Sequence, residues 1–290
     1  DHAIFTGDTL FLGDVGRPDL SQNSSMSNID LASMLYDSLR NKIMSLSDDV
    51  IIYPGHGEGS SCGKDLSSET IGTLGDQKRT NYALRENMTK DEFIKEVLDG
   101  LLDPPKYFPD NVMLNKEGYD ESDEIINRSF NSLTANEVDN MLKEKLTILD
   151  VRGVEDFSSS HIPGSIFIGL DGRFAPWVGE ILEDVSKKLI LVTPEGREKE
   201  AIIRLSRVGF DNVIGYLEGG INSWIKNGGK ISKVLNESAS KFSTVDNNKD
   251  ILDVRSKNEH KSESLLNSLN IPLIDLSKSI DKVSFEKTFY

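Results

Sequence analysis

The tetrapeptide Leu-Asp-Val-Arg occurs twice in this chain, at residues 149–152 and again at 252–255. The context downstream also matches, since residues 270–273 are similar to the strand that follows the His-Ile-Pro-Gly sequence at 161–164. A chance recurrence of four common residues does not explain the matching context. Because the period of 103 residues, from 149 to 252, is far longer than a solenoid repeat, it predicts a duplicated domain.

Short apolar segments around the first copy alternate with stretches of helical pattern. The apolar segments are residues 147–149, 166–168, 189–192 and 213–216. Strands that alternate with helices predict βα units in a parallel sheet that helices cover on both faces. Thr134 and Glu137 form a capping-box pattern, which is typical of a helix start, so we expect the domain to begin here.

A separate strand–helix–strand pattern lies at the start of the chain. Apolar residues at 3–5 lead to Asp8, and apolar residues at 50–53 lead through a Pro-Gly turn to His56. Between them, leucine or isoleucine recurs at helical spacing, at positions 31, 35, 39, 43 and 46. This order predicts that Asp8 and His56 lie at the same edge of a sheet, where α/β proteins usually build their sites.

A carboxylate at the end of a strand suits a metal such as iron or zinc, so Asp8 is a candidate metal ligand. The alternative for Gly7-Asp8-Thr9 is a turn in which the aspartate forms local hydrogen bonds. The arrival of His56 at the same edge favours the metal-binding interpretation.

Composition limits the classes of function. The 290 residues are enough for about two domains, and 37% hydrophobic with 28% charged residues is typical of an ordinary soluble protein. The net charge of −15 argues against nucleic-acid and anionic-membrane partners, since both need a basic face. No apolar run reaches the length of a membrane span. The single cysteine excludes an internal disulfide and predicts a reducing, cytoplasmic compartment.

The segments TGDTLF at 6–11, GRPD at 16–19 and YPGHG at 53–57 resemble, in this order, the C-terminal half of the metallo-β-lactamase superfamily. The resemblance implies half of an αββα fold with Asp8 as a metal ligand. It implies that His56 binds a second metal in the dinuclear hydrolases, and lies beside the iron without binding it in the mononuclear persulfide dioxygenases. The chain starts without Met at a predicted strand, stops at Phe289-Tyr290 part-way through another domain pattern, and lacks the histidine-rich motif of this superfamily before Asp8. We therefore expect a fragment cut at both ends.

The run GEGSSCGK at 57–64 and the passage at 103–119 resemble bacterial persulfide dioxygenases fused to rhodanese domains, rather than glyoxalase II. The resemblance implies one Fe(II) per chain and a low-molecular-weight thiol persulfide of glutathione, coenzyme A or bacillithiol type. It makes Cys62 a candidate persulfide carrier, and Arg17 and Lys64 candidate ligands of the thiol's anionic groups. The alternatives are a buried, unreactive Cys62 and a solvated Arg17.

Three ordered motifs resemble a rhodanese domain, namely LDVR at 149–152, HIPGS at 161–165 and GYLEGGINSW at 215–224. Rhodaneses transfer sulfur through a cysteine in the loop after a central strand. Thr193 stands at that position here, and a hydroxyl without a nearby base is a poor nucleophile. Pro194 removes a loop N–H, and Glu195 and Glu198 would repel an anionic persulfide. We therefore expect this domain to be catalytically inactive.

These patterns together predict a multidomain protein. A metallo-β-lactamase-like part is expected over residues 1–119 and a polar linker over 120–131. An inactive rhodanese-like domain over 132–231 and the start of a second, truncated rhodanese domain over 241–290 follow. The oligomeric state is open, and a homo-oligomer is compatible with the sequence.

The predicted function is oxidation of a thiol persulfide to sulfite with O₂ at a non-haem iron, where one carboxylate and two imidazoles leave coordination positions open. The first alternative is a zinc hydrolase of thioesters of glyoxalase II type. The second is that the rhodanese-like domains act only as binding or structural modules. The persulfide that sulfur transfer and persulfide oxidation share favours the dioxygenase, which is an argument by association.

Overall fold

The computed structural model describes residues 2–20, 26–58, 63, 66–101, 107–144, 146–242, 250–284 and 289–290. The chain divides into two compact units, Asp1–Pro104 and Pro105–Tyr290. Each unit has its own apolar core, so each is considered by itself.

The first unit is built on a three-stranded sheet. Its elements in chain order are β1 (Ala3–Gly7), α1 (Asn28–Ser38), β2 (Ile51–Pro54), β3 (Gly72–Thr73), α2 (Leu74–Thr80) and α3 (Lys90–Leu98). A π-helical turn, Leu39–Ile43, continues α1, and 3-10 turns occupy Pro18–Leu20 and Tyr82–Leu84. Within the sheet, β1 is parallel to β2, and β2 is antiparallel to β3.

Local sequence explains the helices of the first unit. Capping boxes begin α1 at Ser27 and α3 at Thr89. The two helices pack together where Tyr36 meets Phe93 edge to face, with ring centroids 5.4 Å apart. Helix α3 ends at Leu98, shortly before Gly100 takes the left-handed conformation at φ +66°.

The second unit contains a five-stranded parallel sheet. The elements up to residue 226 are α4 (Phe108–Glu117), α5 (Ser122–Ser129), β4 (Ser132–Leu133), α6 (Ala135–Lys143), β5 (Thr147–Asp150), α7 (Val154–Ser159), β6 (Ile166–Phe167), α8 (Phe174–Leu182), β7 (Leu189–Val192), α9 (Glu198–Ser206), β8 (Val213–Leu217) and α10 (Gly220–Lys226). The strand order is β4-β8-β7-β5-β6. Its last elements are α11 (Ala239–Phe242), β9 (Leu252–Asp253), α12 (Lys257–Ser262) and β10 (Leu269–Asn270), followed by 3-10 turns at Leu273–Lys278 and Ile280–Lys282.

The central strand β7 shows why both faces of this sheet are covered. All four of its residues are buried. Leu189 and Leu191 pack into one apolar cluster with α8 and α9, while Ile190 and Val192 pack into another with α6 and α10. Alternate side chains of a strand point to opposite faces, so a continuous apolar run fits a sheet with helices on both sides, as predicted.

The predicted polar linker at 120–131 is wrong. Residues Ser122–Ser129 form α5, which packs against α9 and buries Ile125 to 4% exposure. Tyr107, just before α4, also belongs to the core of the second unit, and it lies so close to Gly179 that a Cβ there would overlap its ring. The first unit therefore ends near residue 104 rather than at 119. Most residues of α5 are acidic or polar, so the composition of the segment does not reveal the single apolar stripe that the helix buries.

Residues 250–273 repeat the fold of residues 147–170 at a constant offset of 103. The strands β9 and β10 pair in parallel with Leu252 opposite Leu269, as β5 and β6 pair with Leu149 opposite Ile166. The helices match as well, because α12 begins and ends 103 residues after α7. The predicted duplication of the Leu-Asp-Val-Arg segment is thus matched by the same local structure.

The two arginines of the repeated motif make the same hydrogen bonds. In the first copy the guanidinium of Arg152 donates to Oδ2 of Asp150 at 2.7 Å and to the carbonyl of Ser160 at 2.7 Å. In the second, Arg255 donates to Oδ2 of Asp253 at 2.7 Å and to the carbonyl of Glu263 at 2.8 Å. In both copies, the arginine of the motif therefore links the end of a strand to the chain that follows the next helix.

Candidate functional site

The carboxylate of Asp8 and the imidazole of His56 meet at one edge of the sheet in the first unit. Gly7 at the end of β1 lies opposite Pro54 at the end of β2, so the parallel strands deliver the following residues to the same place. Nδ1 of His56 lies 2.8 Å from Oδ1 of Asp8, and the two side chains are 43% and 64% exposed. The structure agrees with the predicted juxtaposition and leaves the pair open to solvent.

Two glycines allow the chain to pack closely around Asp8. A Cβ on Gly55 would lie 2.9 Å from Oδ1 of Asp8, and a Cβ on Gly16 would overlap the carbonyl oxygen of Asp8. Packed atoms do not tolerate such overlaps, so a side chain at Gly16 requires the backbone to move. Both glycines therefore define the position of the carboxylate.

Hydrogen bonds on both sides of Asp8 fix its backbone. The N–H of Thr9 donates to the carbonyl of Thr6 at 3.0 Å, which closes a turn around Asp8. The hydroxyl of Thr6 donates to the carbonyl of Leu10 at 2.6 Å. Asp8 thus lies in a turn, as the alternative interpretation held, but its carboxylate bonds to His56 from the neighbouring strand.

A buried aspartate supports the loop that follows Asp8. Asp14 is 1% exposed, and its Oδ1 accepts a hydrogen bond of 2.7 Å from the N–H of Val15. Tyr82 also bonds to this carboxylate; burial first, and the Asp14 charge second, raise the pKa of the Tyr82 phenol well above its usual range. A Cβ on Gly63 would lie 2.9 Å from Oδ2 of Asp14. The Asp14 carboxylate therefore joins three segments of the unit.

Two buried amides complete this cluster. The N–H of Gly13 donates to Oε1 of Gln77 at 2.8 Å, and Nδ2 of Asn81 donates to the carbonyl of Asp14 at 3.0 Å. Gln77 is 4% exposed and Asn81 is 1% exposed. Buried polar groups with partners hold one arrangement of the loop, because each alternative would leave one of them unpaired.

The Asp8–His56 pair offers a carboxylate oxygen and an imidazole nitrogen, which suit iron or zinc. The 2.8 Å separation of Nδ1 and Oδ1 is a hydrogen-bond distance, and it is shorter than the roughly 3.4 Å between two ligands that lie about 2.1 Å from a tetrahedral zinc. Across the ranges that the structure describes, no three His, Cys, Asp or Glu side chains gather into a potential metal site. The pair fits at most two ligands of such a metal.

The predicted substrate-binding residues have different placements. Arg17 forms a bidentate pair with Asp19, with Nε–Oδ1 and Nη2–Oδ2 distances of 3.0 Å and 2.6 Å. Its side chain is 6% exposed, so the alternative of a solvated Arg17 is wrong; the planar carboxylate holds the guanidinium in place. Cys62 and Lys64 lie outside the described residues. Their roles, like that of Arg17 toward a substrate, stay predictions.

Thr193 follows β7 at the carboxyl edge of the five-stranded sheet. It is 6% exposed, and its hydroxyl donates to Oε1 of Glu198 at 3.4 Å. The same oxygen accepts a hydrogen bond of 3.1 Å from the N–H of Gly196, which has a φ of +80°. The donors of the loop after β7 therefore bind a carboxylate of the chain itself.

The other residues of the rhodanese-like motifs stabilise the fold. Asp150 and Arg152 form a buried pair, with side chains 0% and 8% exposed. His161 is buried, and its Nδ1 lies 2.9 Å from the carbonyl of Phe157. Its ring stacks on that of Phe157, with centroids 4.0 Å apart. These contacts give Asp150, Arg152 and His161 a structural role in the domain.

Sequence reasoning missed Asp14, Tyr82 and Gly16. An acidic residue inside the otherwise apolar stretch before Val15 is the signal that could have identified Asp14. Nothing in the sequence connects it with Tyr82, which comes from a distant 3-10 turn.

Comparison with known families identifies a rhodanese-like domain at residues 134–227. The chain also has curated relatives over part of its length. Hydroxyacylglutathione hydrolase GloC of Haemophilus influenzae is 38% identical over 64 residues, which is 22% of this chain and 27% of that protein. The human mitochondrial persulfide dioxygenase ETHE1 is 33% identical over 107 residues, which is 37% of this chain and 35% of that protein. The chain thus spans about a third or less of the curated relatives that it matches.

A solved structure matches a larger share of the chain. It is a metallo-β-lactamase from Staphylococcus aureus, with 29% sequence identity and a TM-score of 0.59, and the match covers 74% of this chain and 57% of that one. With the domain match, these similarities define a multidomain α/β protein in which a metallo-β-lactamase-like unit precedes a rhodanese-like domain. The curated relatives named above are enzymes. Of the helices in the described ranges, none is long and apolar enough to cross a membrane.

Proposed function

We propose that the first unit belongs to a cytoplasmic persulfide dioxygenase, which oxidises a low-molecular-weight thiol persulfide to sulfite with O₂ at one non-haem iron per chain. The observation that carries the proposal is the Asp8–His56 pair at the sheet edge, on a chain that also has a rhodanese-like domain. Similarity to a persulfide dioxygenase over 107 residues supports it. A domain built for sulfur transfer beside a persulfide-oxidising site fits the chemistry, because both handle the same intermediate.

In this proposal Asp8 binds the iron through its carboxylate, and His56 lies beside the iron and orients Asp8. The iron, when bound, supplies coordination positions for O₂ and for the substrate sulfur. The residues of the chain hold Asp8 in place through Gly16, Gly55 and the turn hydrogen bonds. Lys64 is proposed to bind an anionic group of a glutathione, coenzyme A or bacillithiol carrier. Cys62 is proposed to carry persulfide.

Arg17 is proposed to take part only from within its pair with Asp19. With Oδ1 and Oδ2 of Asp19 engaged, the guanidinium is held in one orientation. A substrate anion would have to bind a guanidinium that the carboxylate of Asp19 already engages. We therefore assign Arg17 a smaller share of substrate binding than Lys64.

The second unit is proposed to contain two rhodanese-like domains, of which the first, over 132–231, is inactive. The constant offset between 147–170 and 250–273, together with the matching arginine hydrogen bonds, supports a second domain that begins before β9. Neither 132–231 nor 241–290 contains a cysteine, because the single cysteine of the sequence is Cys62. In this chain the two rhodanese-like domains would act only as binding or structural modules.

A zinc-dependent thioester hydrolase is the second candidate. Similarity to a hydroxyacylglutathione hydrolase over 64 residues favours it. In that case His56 is itself a ligand, and a bound zinc would activate water for attack on the thioester.

Metal analysis of the intact protein separates the two candidates. The dioxygenase predicts about one iron per chain, lost in Asp8→Ala, retained in His56→Ala and retained in the control Asp91→Ala, an exposed acid of α3. The hydrolase predicts zinc, lost in both Asp8→Ala and His56→Ala. Oxygen uptake and sulfite formation with glutathione persulfide, against hydrolysis of a glutathione thioester, give the matching activity. Metal content that is unchanged in Asp8→Ala contradicts both candidates.

A further inference from the structure

The loop between β7 and α9 surrounds one carboxylate oxygen of the chain. Oε1 of Glu198 accepts a hydrogen bond from the N–H of Gly196 at 3.1 Å and one from the hydroxyl of Thr193 at 3.4 Å. Glu198 is the first residue of α9, so its side chain folds back over the loop that leads into its own helix. The oxygen therefore occupies the space between the strand end and the glycine.

General physical chemistry makes this an anion-binding position. The loop lies at the carboxyl end of a central parallel strand and precedes a nine-residue helix. Gly196, with φ +80°, has the left-handed conformation of backbone nests that bind anions. The N–H of the next residue, Arg197, already donates to the carbonyl of Pro194 at 3.2 Å. The donors identified here are therefore engaged within the chain.

The cation of the loop is engaged as well. The guanidinium of Arg197 pairs with Asp171 at 2.9 Å and with Glu200 at 2.8 Å. These two carboxylates, mainly through their hydrogen bonds to Arg197, have pKa values below their ordinary range, so they are charged at neutral pH. The guanidinium of Arg197 is thus engaged by Asp171 and Glu200 rather than by Glu198.

We propose that Glu198 is the residue that excludes anionic sulfur from this loop, because its carboxylate takes the donors that a thiolate, persulfide or thiosulfate would need. Because Thr193 stands where a rhodanese has its cysteine, the loop lacks a nucleophile. Because Glu198 accepts the hydrogen bonds of the loop, the loop also lacks free donors for an anion. Restoring the thiol alone is therefore insufficient, and opening the loop requires a change at Glu198. This inference concerns the rhodanese-like domain and does not depend on the metal chemistry proposed for the first unit.

The test introduces a thiol and measures its acidity in the full chain. In a Cys62→Ser background, Thr193→Cys places a single titratable thiol next to Glu198. Its pKa is measured from thiolate absorbance against pH and from the rate of iodoacetamide alkylation. We expect a pKa above the usual value of about 8.5, since a neighbouring carboxylate disfavours the thiolate.

Adding Glu198→Ala should then lower the thiol pKa by at least one unit, which is about tenfold more thiolate at neutral pH. The matched control is Glu195→Ala, which removes an exposed carboxylate of the same loop and should give less than a third of that shift. Glu198→Gln, which keeps an acceptor but no charge, should give a shift between the two. If Glu198→Ala destabilises the fold, the comparison of Glu198→Gln with Glu195→Gln decides.

Two results overturn the proposal. The first is an equal shift from the Glu198 and Glu195 variants, which would show only the effect of net charge near the thiol. The second is an unchanged thiol pKa in Glu198→Ala, which would show that the carboxylate does not control the loop. As a second readout, calorimetry with thiosulfate should detect binding to Glu198→Ala and none to the parent chain.

Discussion

Nδ1 of His56 lies 2.8 Å from Oδ1 of Asp8, although helix α1 and strand β2 separate the two residues in the sequence. The register of β1 on β2 produces this contact, because Gly7 and Pro54 are paired at the strand ends. A shift of one residue in that register would carry one side chain away from the other. The candidate site is therefore a property of the sheet and not of either loop alone.

Gly16→Ala should destabilise the first unit and displace Asp8. The new Cβ would overlap the carbonyl oxygen of Asp8, so the turn must open, at a cost of about 1–3 kcal/mol. Gly57→Ala is the control, since its Cβ would meet no atom within 4 Å. Chemical denaturation of both variants measures the difference. Equal stability of the two variants would show that the loop can relax without loss.

Tyr82→Phe should weaken the buried cluster around Asp14. The variant removes a hydroxyl partner from a buried carboxylate, which costs about 1–3 kcal/mol. Tyr53→Phe in β2, where the ring is partly exposed, should change stability much less. Urea unfolding at neutral pH measures both effects.

The same variant should change stability at alkaline pH. Because the pKa of Tyr82 is raised in the folded state, its contribution is complete below the unfolded value of about 10 and is lost as the pH rises further. The difference in unfolding free energy between the parent chain and Tyr82→Phe should therefore be constant from pH 7 to pH 9 and shrink above about pH 10. A difference that grows above that pH would contradict the assignment.

The two copies of the arginine motif should respond differently to the same substitution. Arg152→Met leaves the fully buried Asp150 without its partner, which costs about 3–5 kcal/mol. Arg255→Met removes the same hydrogen bonds from a side chain that is 47% exposed, so we expect a smaller loss. Thermal unfolding of the two variants compares them directly. A larger loss from Arg255→Met would show that the second copy depends more on this pair than the first.

Arg255→Met should also alter the titration of Asp253. The hydrogen bonds from Arg255 hold the pKa of Asp253 at about 2, so its contribution to stability is present above its ordinary pKa and is lost as the pH falls through about 2. In the variant the pKa should rise toward the ordinary value of about 4 without reaching it, because the backbone N–H of residue 255 still donates to the carboxylate. Carboxyl carbon shifts in NMR measure this value. An unchanged pKa would mean that another group holds the charge.

The Cys62 thiol should be exposed and reactive in the folded protein. Its neighbours in sequence are Ser61, Gly63 and Lys64, and a nearby ammonium favours the thiolate. Alkylation by a bulky maleimide should be rapid at neutral pH in the native state. Protection until denaturant is added would place Cys62 in the core and remove it from the proposed site.

The sequence was sufficient for those elements in which periodicity and capping agree. Strand β7 could be predicted because four consecutive apolar residues between helical stretches are typical of a strand that is buried on both faces of a parallel sheet. Helix α5 could not, because only Ile125 and Ile126 are apolar among acidic and polar neighbours, and burial of Ile125 depends on packing against α9. Tertiary contact overrides local composition in such segments.

The candidate site could likewise be predicted in part from the sequence. Asp8 and His56 follow two apolar strands, so their meeting could be inferred from the chain order. The contact of Tyr82 with Asp14 depends on where a 3-10 turn lies in the folded unit, and no local pattern encodes that position. The same holds for Glu198, whose hydrogen bond from Gly196 requires the rotamer that turns it back over the loop.

The constant offset between 147–170 and 250–273 has an evolutionary consequence. Both copies keep strand pairing, helix length and the arginine hydrogen bonds without a residue gained or lost between them. An insertion or deletion of one residue inside a strand of either segment would turn the side chains beyond it to the opposite face of the sheet. Natural variants of this protein should therefore differ in these strands by replacement alone, and changes of length should be confined to the loops.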